Sequence, residues 1–214
     1  MSRQSRPRQA YHHGDLKNAL IAAGVEILSK EGVAGLSLRK VALRAGVSHA
    51  APYAHFADKP ALIAAISTEG FERLYRAIAN AVAKHTGDPA AQLVAGAWAY
   101  VDFALSDPDH FKVTLSGVVE KEDEHPAFVA VSKKSFGLVV EIVRACQEAG
   151  VLRVGPVELC AVTVWSLMHG LVSLLLEKQI PRSVRGARST RSLLIATLNQ
   201  IALVDLGAAE RERR

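Results

Sequence analysis

Apolar positions along the chain recur at three- and four-residue spacing, and no strand-type alternation of Val, Ile and Thr interrupts them. Asp15 stands where a helix cap belongs, and Leu16, Leu20, Ala23 and Ile27 follow at helical spacing to Lys30, with Gly32 as the stop. Ser37 predicts the cap of a second helix over residues 38–45, with Val41, Ala42 and Ala45 facing inward. Gly46-Val47-Ser48 makes a tight turn before a third short helix from about His49 to Phe56. Asp58 caps a longer fourth helix with Pro60 in its first turn, where the missing N–H does little harm. Leu62, Ile63, Ile66, Leu74, Ile78 and Val82 carry that helix to about His85. Beyond Gly87 the pattern restarts at Asp88-Pro89, Asp107-Pro108, Pro126, Gly155-Pro156 and Ser189. The helices so opened run to about Leu105, Ser116, Ala149, Lys178 and Leu206. Residues 120–124 form a charged loop, Pro181 and Gly186 bound a basic one, and no internal repeat is present. The predicted fold is all-α, with about nine helices.

Composition narrows the class. The chain has 214 residues, half of them apolar and 22% charged, enough for a real core in one medium or two small domains and too apolar for a disordered chain. Two cysteines, Cys146 and Cys160, cannot build a disulfide framework, and zinc-ligand spacing is absent. The first thirty residues lack the apolar stretch of a signal peptide. A reduced, soluble, cytoplasmic protein is expected, without metal or cofactor. Residues 159–176 are nearly all apolar, but Thr163, Ser166, His169 and Ser173 interrupt them. That pattern suits a buried helix or a subunit interface better than a membrane span.

Charge is unevenly distributed. Residues 1–59 hold nine Lys/Arg against four acids and so carry the whole net charge of +5. A basic quarter on a neutral body is the pattern of a module that meets a polyanion. Residues 37–56 lie in that quarter and consist of two short helices joined by a turn, the arrangement in which a second helix enters the DNA major groove. Arg3, Arg6 and Arg8, with His12 and His13, precede it as a flexible basic arm that orders on DNA.

The motif Ser37, Val41-Ala42, Ala45-Gly46-Val47-Ser48, Tyr53-Ala54-His55-Phe56, Lys59 and Leu62 resembles the DNA-binding domain of TetR-type transcriptional regulators. Trp165, His169 and Gly170 resemble a Trp-x-x-x-His-Gly signature of one subgroup of the family's C-terminal domains. The resemblance implies a DNA-binding domain over residues 1–59 and an effector-binding, dimerising domain over residues 60–214. It implies DNA contacts by Ser37, Arg39, Ser48, His49, Ala50, Ala51, Tyr53, His55 and Lys59. Ser48 would cap the recognition helix and meet a phosphate. His49, Ala50 and Ala51 would face base edges, the alanine methyls suiting thymine. Arg39 would read guanine or bind phosphate, while Tyr53, His55 and Lys59 fix register on the backbone. Phe56 is core. Pro52 departs from the family pattern and should stiffen and deform a short recognition helix.

The partners so implied are an operator duplex, a second copy of the chain and a small-molecule effector. Two apolar faces, Leu171, Leu174 and Leu175 on one helix and Leu194, Leu198 and Ile201 on the last, would pair across the dimer or else complete each subunit's core. Trp98, Phe103, Phe111, Phe136, Trp165 and His169 are the candidate ligand-pocket residues, an apolar wall with few polar groups. Nucleophile-elbow, phosphate-loop, dinucleotide and zinc-protease motifs are absent. The rival reading is a helical small-molecule-binding protein or enzyme in which the helix-turn-helix corner is incidental.

Overall fold

The structure is a computed structural model that describes residues 13–208. Among them the chain forms α1 (His13–Gly35), α2 (Leu38–Arg44), α3 (Lys59–Val82), α4 (Pro89–Ser106), α5 (Pro108–Thr114), α6 (Pro126–Glu148), α7 (Val157–Leu176), α8 (Arg182–Arg185) and α9 (Thr190–Leu198). Single 3-10 turns lie at Ala51–Ala54, Ala83–His85 and Glu122–Glu124. The described residues contain no strand, only one isolated bridge between Leu152 and Ala202. The all-α expectation holds.

Side-chain caps set most of the helix starts. Ser37 accepts from Lys40 N at 3.2 Å, Asp58 from Ala61 N at 2.8 Å, Asp88 from Ala91 N at 2.9 Å and Asp107 from His110 N at 3.3 Å. Each such cap contributes about 1 kcal/mol. Four expectations need correction. Helix α1 begins at His13, so Asp15 lies inside it and is not its cap; Arg3, Arg6, Arg8 and His12 lie outside the described residues. Gly32, at φ +67°, breaks the helical run as expected, but helical backbone resumes to Gly35. The basic loop contains the single turn α8. The last helix stops at Leu198, eight residues early, because the following segment bonds elsewhere: Leu203 N donates to Val151 O at 2.8 Å and Leu206 N to Asn199 Oδ1 at 3.0 Å.

Two apolar cores result. The first joins α1, α2 and the start of α3 through Leu20, Ile27, Val41, Phe56, Leu62 and Ile66, and it also takes in Val113, Val119 and Phe128 from beyond α4. The second fills the remaining helices through Leu74, Ile78, Val101, Val143, Val172 and Leu194. We call the first unit the head and the second the body. Helix α3 belongs to both, its first half in the head core and its second half in the body core.

Candidate nucleic-acid interface and ligand cavity

Within the head, α2 buries Leu38, Val41 and Ala42 against α1, and Gly46, at φ +68°, turns the chain, a conformation that costs glycine little. The next element is not the expected helix over residues 49–56 but the single 3-10 turn Ala51–Ala54. Pro52 is the cause. It has no N–H to close an α-type bond to Ser48 O, so the chain closes three-residue bonds instead. These run from Ala51 N to Ser48 O at 3.0 Å, from Tyr53 N to Ala50 O at 3.2 Å and from His55 N to Pro52 O at 2.9 Å. Ser48 therefore contributes its carbonyl, and no side chain caps the turn.

Charge on α2 is divided. Lys40 pairs with Glu31 and Arg44 with Glu26, both acids on α1, and Glu26 also meets Lys30 at 2.8 Å. Arg39 is exposed and has no ion-pair partner among the described residues. Ser37, Ser48, His49, Ala50 and Ala54 are exposed, Tyr53 is 61% exposed, and Ala51, His55 and Lys59 are half-buried. His55 Nε2 is buried and lacks a hydrogen-bond partner. Phe56 is core, as expected. Leu43, 73% exposed one helical turn after Arg39, is an apolar surface residue that the sequence analysis passed over. The signal was available, since inward Val41, Ala42 and Ala45 leave position 43 outward.

In the body, α3, α4, α6 and α7 enclose a cavity of about 310 Å³, walled by Leu74, Ile78, Phe136, Val139, Trp165 and Met168. Polar side chains on its wall are Tyr100, Ser132, Lys133 and Ser135, and Tyr100 is the one held at the aromatic end. Trp165 Nε1–H can only donate, and it reaches the Tyr100 oxygen at 3.3 Å; the phenol proton is then free for His169 Nδ1 at 2.9 Å. Burial raises the Tyr100 hydroxyl above the ordinary tyrosine value, with the Trp165 bond opposing, so the group stays neutral. His169 stacks on Phe111 at 5.7 Å between ring centroids, and Phe111 meets Tyr100 edge-on at 5.5 Å.

Two family models match this chain. One describes bacterial regulatory proteins of the tetR family and matches residues 20–66; the other describes the tetracyclin repressor-like C-terminal domain and matches residues 93–198. Together the matched segments take in well over half of the chain. The chain belongs to the TetR family. Among curated proteins it is similar to an uncharacterized HTH-type transcriptional regulator, YobS, of Bacillus subtilis, at 31% identity over 52% of this chain. The match spans 57% of that relative's length. Among solved structures, a protein of unknown function from Rhodococcus sp. RHA1 is 32% identical, with a TM-score of 0.71 over 91% of this chain and 100% of its own. A putative tetR family transcription regulator from Shewanella sp. PV-4, 19% identical, superposes with a TM-score of 0.71 over 88% of this chain and 99% of its own, and supports the fold alone.

Within this TetR-family chain the expected ligand residues separate. Phe136 and Trp165 line the cavity. His169 stands behind Tyr100, and Phe111 behind both. Phe103 is buried, with the Arg73 guanidinium 5.4 Å from its ring centroid, and Trp98 lies under Arg191 at 5.4 Å; neither lines the cavity. Tyr100 and Phe71 do line it and were missed. Phe71 is of special interest because it also packs edge-on against Phe128 of the head core, with centroids 5.8 Å apart. Cys146 is buried, and its thiol donates to Pro89 O at 3.2 Å. Among the described residues no cluster of three His, Cys, Asp or Glu could hold a metal ion.

Proposed function

We propose that this chain is a cytoplasmic, homodimeric transcriptional repressor that leaves a pseudo-palindromic operator when a small apolar or aromatic molecule enters the body cavity, with no catalytic step. One observation carries the reading: a single helix, α3, starts beside the exposed cationic surface of the head and ends as a wall of the apolar cavity. A ligand acts only through its difference in affinity between the DNA-competent and incompetent states, and Phe71 is the contact through which cavity filling reaches the head core. The division at residues 59/60 is functional in this reading, with α3 shared.

The ligand is an apolar body with one hydrogen-bonding group, because Tyr100 is the fixed polar point in the aromatic end of the cavity. The Trp165, His169 and Gly170 signature supports membership of the corresponding subgroup, its tryptophan and histidine holding Tyr100 in place. The subunit contact falls on the outer face of α7. Leu171, Leu194 and Leu198 are buried in the subunit's own core, whereas Leu159, Val162 and Leu174 are exposed on the same helix as Ser166 and Gly170. This helix is long and apolar enough to cross a membrane, with a mean hydropathy of 1.9, but one face packs in the body core. A subunit interface accounts for both properties.

On DNA, Arg39 and the turn at Ala51–Ala54 meet the major groove, and Ser37, Tyr53, His55 and Lys59 meet phosphates. Fluorescence anisotropy with random duplex DNA at low salt tests the reading. Micromolar or tighter binding is expected, and its absence would favour the helical small-molecule-binding rival.

A further inference from the structure

Residues 60–214 are neutral in sum, but their charge is segregated. Residues 178–204 hold Lys178, Arg182, Arg185, Arg188 and Arg191 and neither Asp nor Glu. Lys178, Arg182, Arg185 and Arg188 are exposed and form no ion pair among the described residues. Glu177, next to them in sequence, is taken by Lys112 at 3.4 Å. Short-range bonds fix the backbone that carries the arginines: Arg185 N donates to Pro181 O at 2.9 Å, Gly186 N to Arg182 O at 2.8 Å and Arg188 N to Arg185 O at 2.9 Å. Arg182, Arg185 and Arg188 thus recur every three residues on a shaped loop, and like charges so spaced repel one another. A guanidinium fork is built to donate to carboxylate or phosphate oxygens, and this loop has neither of its own.

The position of the loop says which anion it meets. Helix α5 roots in the head core through Val113, and the adjacent Lys112 holds Glu177 just past the end of α7. The loop therefore leaves α7 at the head-facing end of the body. The opposite end is marked by the bridge from Leu152 to Ala202 and by the Gln147 amide, which donates to Arg153 O at 2.9 Å. Helix α7 runs from that far end to the loop, and α9 runs back toward it. In a two-fold dimer joined through the outer face of α7, the two loops follow that face and come to lie beside the axis, between the two heads.

We propose that the loop over residues 178–188 is a second phosphate-binding surface, which meets the DNA backbone between the two half-sites held by the heads. The proposal rests on the dimeric, DNA-binding reading given above. Contacts of this kind add affinity and fix register without reading bases. Arg191 is not part of the surface, since its guanidinium lies over Trp98.

Anisotropy titrations of the full chain on random duplex between 50 and 200 mM salt test the assignment. The triple variant Arg182→Gln, Arg185→Gln, Arg188→Gln should reduce the slope of log affinity against log salt by about 0.9 for each arginine that meets a phosphate, up to about 2.7 per subunit. Lys84→Gln, Arg144→Gln, Arg153→Gln removes the same charge from the far end of the body and should keep the wild-type slope. Equal melting temperatures show that both variants are folded. A loop variant with the wild-type slope overturns the proposal, and so does an equal loss in both variants. A wild-type slope together with weaker dimerisation in sedimentation would put the arginines against a second copy of the chain instead, and overturns it too. A wild type that binds no duplex overturns both this proposal and the regulator reading.

Discussion

Arg39→Ala tests whether the exposed cation of the seven-residue helix α2 meets DNA while Lys40 and Arg44 are structural. Lys40 and Arg44 are held by Glu31 and Glu26 of α1, so part of their charge is already compensated. Arg39 is exposed and uncompensated among the described residues, and its loss costs the fold little, within about 0.5 kcal/mol for a surface position. Each phosphate neutralised on duplex DNA contributes about 0.9 to the slope of log affinity against log salt. If Arg39 meets a phosphate, the slope on random duplex falls by about 0.9 in the variant, so the deficit against wild type shrinks about 3.5-fold between 50 and 200 mM salt. If it reads guanine instead, random binding is nearly spared and the operator loses about 1–3 kcal/mol. Anisotropy titrations of the wild type, Arg39→Ala, Lys40→Ala and Arg44→Ala at four salt concentrations distinguish these cases. Equal losses of slope in all three variants, or an unchanged Arg39→Ala on both random and selected DNA, would refute the division of roles.

The remaining predictions are shorter. The recognition turn presents alanine methyls and no long amide or guanidinium side chain, so uracil in place of a contacted thymine should weaken operator binding about fourfold per methyl. Ala50→Gly should erase that discrimination, as paired anisotropy curves would show. Gly70→Ala should destabilise the protein by about 1–3 kcal/mol, read as a lower melting temperature, because its methyl group drives α3 from α5. For Glu69, burial alone would raise the carboxyl, but His110, Arg73 and Arg76 outweigh it and hold the group below 4.5. Its stabilising contribution is therefore present above pH about 4.5 and fades as pH falls through the folded-state value; Glu69→Gln should flatten the acid limb of a stability profile. Burial, with Cys160 and Asp88 nearby, pushes the Cys146 thiol to about 12, so thiol reagents at pH 8 should leave it unmodified until the protein unfolds.

Legibility in the sequence followed the range of the interactions involved. Caps at Ser37, Asp58, Asp88 and Asp107 depend on residues three positions away, and all four were readable. The effect of Pro52 was readable in kind but not in degree. One missing N–H in so short an element leaves a 3-10 turn with a single α-type bond, from Phe56 N to Pro52 O at 2.9 Å, in place of the helix. The end of α9 was not readable, because the bridge to Leu152 competes from fifty residues away in sequence. The ligand residues failed for a related reason. Aromatic content identified Phe136 and Trp165 but not which side of α4 faces the cavity, so Trp98 was chosen where Tyr100 lies. Periodicity assigns faces only relative to one helix, and α4 is apolar on several sides, with Leu93, Tyr100, Val101 and Phe103 all buried. The polar cluster around His110 joins α3 to α5 across Gly70, a contact that a single sequence does not reveal.

Selection of duplexes from a random pool by the full-length protein tests the central claim most directly. The account predicts enrichment of a pseudo-palindrome whose half-sites lie about one helical turn apart, bound by two copies of the chain, with Arg39→Ala reducing the enrichment. No enriched sequence at low salt, or an asymmetric site bound by a single copy, would contradict it.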